Sequence, residues 1–156
     1  MKKLLVTYFS ASGVTRTAAE KLAAAAGADL FEVRPETPYT AADLDWTNGQ
    51  SRSTLEMQDV NCRPALAADE LCLRGYDVVF LGFPIWWGRE PSIIDSFIDA
   101  HDFSGKSVIP FCTSGGGGFT NRAQLEKLLP GVLMHREIGR NATENELQAW
   151  LTELAL

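Results

Sequence analysis

Tyr8-Phe9-Ser10-Ala11-Ser12-Gly13-Val14-Thr15-Arg16-Thr17 is the stretch on which the reading of this chain turns. The apolar run Leu4-Leu5-Val6 leads into it, and an alanine-rich segment of helical periodicity, residues 18 to 26, leads out. Between them lie the hydroxyls of Ser10, Ser12, Thr15 and Thr17 and the glycine at 13. A strand, a hydroxyl-and-glycine turn and a helix start together form a pocket of outward-pointing N–H groups backed by the positive end of a helix dipole. Such a pocket holds a phosphate.

Outward from this stretch the chain alternates between strands and helices. The first strand is expected over 3–9, its unbroken apolar character implying burial on both faces. A helix follows over 14–26 and ends at Gly27. A second strand spans 29–34, stopped by Pro35 and Pro38. Residues 36 to 64 form a long connection, with short helices expected over 41–46 and 51–60. The clearest strand is 76–83. Pro91 opens a helix over 92–101, and a strand follows over 107–112. A helix is expected over 121–129, a fifth strand over 132–138, and a last helix capped by Thr143 with Glu146 three residues on. This order implies one domain over 1–156, an α/β three-layer sandwich with a parallel sheet and helices on both faces. In such a sheet a ligand binds beyond the carboxyl ends of the strands.

Three loops fall at those ends. The first is the hydroxyl-and-glycine cradle. The second, Phe83-Pro84-Ile85-Trp86-Trp87-Gly88-Arg89-Glu90, carries adjacent tryptophans where a loop has little core to fill. They suit stacking on a flat aromatic ligand. The third, Thr113-Ser114-Gly115-Gly116-Gly117-Gly118-Phe119, lets the main chain approach a ligand closely. A phosphate at one loop and a planar ring at the next suggest a flavin mononucleotide.

With these three motifs, in this order, the chain resembles the flavodoxin family over nearly its whole length. The resemblance implies a flavodoxin-like fold of five parallel strands in the order 2-1-3-4-5, with FMN as the cofactor. It implies that Ser10, Ala11, Ser12, Gly13, Val14 and Thr15 surround the phosphate, with Thr17 close by and Arg16 turned mainly to solvent. Pro84, Ile85 and Trp86 would lie along the isoalloxazine ring, and the Trp87–Gly88 peptide would face flavin N5. Thr113, Ser114, Gly115 and Gly116 would follow the pyrimidine end. Two departures from the pattern stand out. Val14 replaces the asparagine common in relatives. The glycine loop replaces an acidic, tyrosine-bearing one, so the second ring face is either open or covered by Phe119.

The function so implied is electron transfer through bound flavin, between redox partner proteins. An alternative is an FMN-dependent oxidoreductase passing electrons from NAD(P)H to a quinone or similar small acceptor. Another is a binding domain, for FMN or a different phosphorylated ligand, without turnover. In every case the flavin, not a catalytic side chain, would carry the chemistry.

Composition narrows the classes further. Of 156 residues, 46% are hydrophobic and 22% charged, ordinary for a globule with a full core. A net charge of −6 argues against nucleic acid as a partner. No segment has the run of about 18 apolar residues that spans a bilayer, and Lys2-Lys3 introduces no signal sequence. A cytoplasmic protein is expected. Cys62, Cys72 and Cys112 lack paired spacing and read as mostly buried thiols, and His101 and His135 do not form a metal site. Asp95 and Asp99, one helical turn apart, read as a solvated helix face. Trp46 and Trp150 read as packing residues.

Overall fold

The structure is a computed structural model that describes residues 1–114, 118–129 and 142–156. Four parallel strands form one sheet: β1 (Leu4–Tyr8), β2 (Asp29–Glu32), β3 (Val78–Pro84) and β4 (Ser107–Thr113), in the order β2-β1-β3-β4. The registers Val6↔Leu30, Val6↔Phe80 and Phe80↔Ile109 carry one row straight across the sheet. The fifth strand expected over 132–138 lies outside the described residues, as does His135.

Among the described residues five helices accompany the sheet: α1 (Val14–Ala26), α2 (Arg52–Gln58), α3 (Ser92–Ala100), α4 (Arg122–Leu128) and α5 (Glu144–Glu153). Alternate strand residues point to opposite faces, and each face meets its own helices. Val6, Phe80, Ile109 and Phe111 pack with Leu22 of α1 and with Leu147, Trp150 and Leu151 of α5. Leu5, Val79, Leu81 and Val108 pack with Ile93, Ile94 and Phe97 of α3 and with Leu125 of α4. Burial on both faces explains why the strands read as continuous apolar runs. At Gly82 the sheet has no room for a side chain. A Cβ there would lie 2.1 Å from the ring of Phe111 in the neighbouring strand.

Local signals place the helix ends. Gly27 takes a left-handed conformation (φ 62°) as the C-cap of α1. Ser51 and Thr143 accept from the N–H groups of Thr54 and Glu146 and cap α2 and α5. The expected helix over 41–46 is instead a series of turns. Thr40 N–H donates to Asp43 Oδ2 (2.9 Å), Asp43 N–H to Thr40 Oγ1 (3.1 Å) and Thr47 N–H to Asp45 Oδ1 (3.0 Å). These side-chain bonds take the backbone groups a helix would use.

The long connection is a closed excursion. Its ends meet in an antiparallel bridge between Pro35 and Leu66, where Glu36 N–H donates to Ala65 O (2.8 Å) and Ala67 N–H to Arg34 O (2.8 Å). The turns and α2 between them fold back over the carboxyl ends of the strands. Several expectations are corrected here. Trp150 is core, but Trp46 is 72% exposed. Cys112 is buried, Cys62 half-buried and Cys72 exposed. Asp95 is not on a solvated face but is buried at 2% exposure.

Candidate functional site

The first loop leaves the sheet after Tyr8. Phe9 N–H still donates to Gly82 O (2.9 Å), and the chain then turns through Ser10 to Gly13. Gly13 makes this turn possible, with φ at 91°, and its N–H donates to Ser10 Oγ (3.0 Å). No side chain caps the start of α1. The leading N–H groups of a helix have no partner inside it, so an uncapped start presents them, with the positive dipole end, to an anion. Thr15 is buried, its Oγ1 2.8 Å from Thr113 Oγ1, which ties the first loop to the end of β4. Thr17 Oγ1 donates to Gly13 O (3.1 Å). Val14 is 40% exposed at the rim. Arg16 is exposed, as expected. It pairs with Glu32 at 2.9 Å, and the same carboxylate accepts from Tyr8 Oη (3.1 Å).

The second loop is a tight hairpin. Trp86 and Arg89 exchange backbone hydrogen bonds (2.9 and 3.0 Å), with Trp87 at φ 48° and Gly88 at φ 78° between them. Two consecutive positive φ values are those of a type I′ turn. Glycine adopts that geometry freely; tryptophan does not, so Trp87 sits in a conformation of elevated energy. The turn is held from outside. Gly88 O accepts from Thr120 N–H (2.7 Å) and Thr120 Oγ1 (3.1 Å), and Ile85 N–H donates to Thr113 O (2.8 Å).

The two tryptophans differ in setting. Trp86 is wedged edge-on against Phe9 and Tyr39, with ring centroids 5.7 and 5.6 Å away. Tyr39 in turn lies under the Arg52 guanidinium (3.8 Å) and donates to Glu56. Burial, and then the Glu56 carboxylate, push the Tyr39 hydroxyl far above its usual range, so it stays a donor. Trp87 projects from the turn and is 52% exposed.

A cavity of about 510 Å³ lies between these loops. Ala11 and Ser12 line it from the helix start, and Ile85, Trp86 and Trp87 from the second loop. Leu44, Trp46 and Ser53, from the excursion, complete the lining. These last three were not legible as site residues. The closed neck at Pro35 and Leu66 brings them over the strand ends, and no local motif marks that. Of the other expected site residues, Pro84 pairs with Thr113 in the last register of β3 and β4, and Ser114 follows half-buried. Gly115 and Gly116 lie outside the described residues. Phe119 packs on Phe83 (5.3 Å), half-buried. His101 bonds Phe97 O through Nδ1 (2.9 Å), and among the described residues no cluster of metal-ligating side chains occurs.

This geometry, a parallel α/β sheet with an uncapped helix start and an aromatic turn at its carboxyl end, defines the class of ligand-binding doubly wound domains. A family model described as flavodoxin matches residues 3–154, and the chain belongs to the flavodoxin family. Among solved structures, it is similar to a protein assigned as a flavoprotein from Bacteroides eggerthii DSM 20697. The two share 46% identity over 100% of this chain and 99% of the other, with a TM-score of 0.94. A second such protein, from Bacteroides uniformis ATCC 8492, is 42% identical over 97% and 98% of the two chains, with a TM-score of 0.91. A flavoprotein from Lactobacillus acidophilus NCFM, solved in complex with FMN, shares the fold at 22% identity over 96% and 99%, with a TM-score of 0.73. No curated protein matches.

Proposed function

We propose that this chain binds FMN and passes electrons through it. The observation that carries the reading is a single cavity with an anion-binding helix start at one end and an indole wall at the other. The residues present fit the group. N–H groups at the start of α1 and the hydroxyls of Ser10, Ser12 and Thr15 hold the phosphate without a lysine. Ile85 and Trp86 flank the ring, with Trp86 fixed by Phe9 and Tyr39. The Trp87–Gly88 peptide, Thr113, Ser114, Gly115 and Gly116 complete the expected contacts. About 510 Å³ is within the range of cofactor sites. Bound FMN supplies one- and two-electron redox chemistry; the protein supplies anchoring, stacking and exclusion of water.

Trp46 and Trp87 are exposed at the mouth of the cavity, which suits electron exchange with a docked protein. The net charge of −6 favours a basic partner, and three cysteines without paired spacing suit a cytoplasmic setting. The second reading is reduction of a quinone or similar small acceptor at the expense of NAD(P)H, favoured by a third loop whose glycine run brings no aromatic ring of its own over the second flavin face. FMN titration with an absorbance spectrum decides the cofactor, and a protein that stays colourless rejects both redox readings. NADPH alone bleaching the bound flavin selects the oxidoreductase; bleaching only with a partner reductase selects the carrier.

A further inference from the structure

Behind the aromatic turn, on the α3 and α4 side, lies a second cavity of about 380 Å³ that the flavin reading leaves unused. Two buried acids line it, Glu90 (1% exposed) and Asp95 (2% exposed). Asp95 Oδ2 receives the Arg89 guanidinium at 3.3 Å and that of Arg63 at 3.8 Å. Both Glu90 oxygens accept from Asn121 Nδ2 (3.2 and 3.1 Å). Asp95 Oδ1 is fully buried and has no hydrogen-bond partner, and the Glu90 carboxyl lines the same cavity. Two buried carboxylates in one cavity repel each other unless one carries a proton, and a buried acceptor without a donor is costly. A proton on Asp95 Oδ1, directed at Glu90, resolves both difficulties.

We propose that Asp95 and Glu90 share one proton, and that the protonated pair is the brace that holds the Trp86–Arg89 turn in place. The route is short. Asp95 fixes Arg89, the last residue of the turn, whose Nη2 also donates to Ser92 Oγ (3.2 Å). Glu90, the next residue, is fixed by Asn121. Thr120, beside Asn121, grips Gly88 O. The loop is thus clamped at Gly88, Arg89 and Glu90, and deprotonation would set two negative charges against each other inside the clamp.

The charged and titratable groups around the pair come from every neighbouring element. Arg63 and Cys62 follow α2, with Arg63 also held by Asp99 of α3 (2.7 Å). Arg89 belongs to the turn, and Lys127 of α4 lines the same cavity. Burial first, and the Glu90 carboxyl second, push Asp95 up to about 8, against the pull of the two guanidiniums. Asp95 and Glu90 are positioning residues. They brace the turn whether or not a flavin rests on it, so the proposal stands or falls separately from the FMN reading.

The test is a carboxyl ¹³C NMR titration of the full chain labelled at Asp and Glu, with backbone amide shifts of Trp87 and Gly88 followed in parallel. One aspartate signal, lost in Asp95→Asn, is expected to titrate near pH 8, and the two amides should move with the same midpoint. Asp95→Asn keeps the donor and fixes it, so its turn amides should hold the low-pH shifts from pH 6 to 9. Glu90→Gln should lower the Asp95 midpoint, while burial keeps it above the ordinary carboxylate range. An Asp95 signal titrating below about pH 5 in the parent protein would overturn the shared proton. High titration without movement of the turn amides would overturn the brace.

Discussion

Trp86 shows how much one side chain is asked to do. Its edges rest on Phe9 and Tyr39, leaving a face toward the cavity. If that face stacks on the flavin, Trp86→Ala removes about 1 kcal/mol beyond the lost area, a weakening of FMN binding of at least about fivefold. Isothermal titration measures it, and an unchanged dissociation constant would reject the stacking role. Gly88 is constrained twice. Its φ of 78° disfavours any side chain, and a Cβ would lie 2.6 Å from Thr120 Oγ1. Gly88→Ala is expected to cost about 1–2 kcal/mol of stability. Adding Thr120→Ala should recover part of that loss, measurable as non-additivity in denaturant melts. Some residues could be read directly. Gly13 and Ser10 announced a turn, because a glycine among hydroxyls between a strand and a helix has few other uses. Asp95 could not be read. Its spacing from Asp99 is that of an exposed helix face, and the guanidiniums that surround it arrive from positions 63 and 89, remote in sequence or across a turn.

At the level of elements, the strands were the most legible part. A run such as Val78-Val79-Phe80-Leu81 is compatible with a parallel strand buried on both faces and with little else of that length. The excursion was the least legible, because its turns are built from local Thr–Asp bonds and its placement from contacts of Tyr39 and Arg52 with distant groups. Element packing makes its own forecasts. Gly82→Ala would drive a methyl into the Phe111 ring between β3 and β4, and a loss of about 1–3 kcal/mol is expected in chemical denaturation. For α3, the raised Asp95 value sets the sign of a pH effect. The folded protein keeps a proton that the unfolded chain releases above about 3.8. Stability therefore falls as pH rises from there toward about 8, then levels. Melts of Asp95→Asn across this range should lose that component of the slope; an unaltered slope would assign it to other groups.

For the molecule as a whole, the sheet order β2-β1-β3-β4 brings three loops remote in sequence to one edge, and the hydroxyl pair Thr15–Thr113 joins two of them directly. If FMN binds there, free ligand at a hundredfold over its dissociation constant should add about 2.7 kcal/mol to stability. That corresponds to a rise of about 5–10 °C in Tm for a chain of this size, readable by calorimetry. Among the described residues no helix is long and apolar enough to cross a membrane. One architectural feature reaches further. The excursion leaves and rejoins the body through a single neck, where Arg34 and Glu36 bond Ala67 and Ala65 across the Pro35–Leu66 bridge. Beyond that neck the segment carries its own contacts to the body, Tyr39 on Trp86 and Arg63 on Asp99. Grafting a different stretch between Glu36 and Ala65 would swap the cavity residues Leu44, Trp46 and Ser53 together with the support of Trp86 and Asp99, while the four paired strands keep their register.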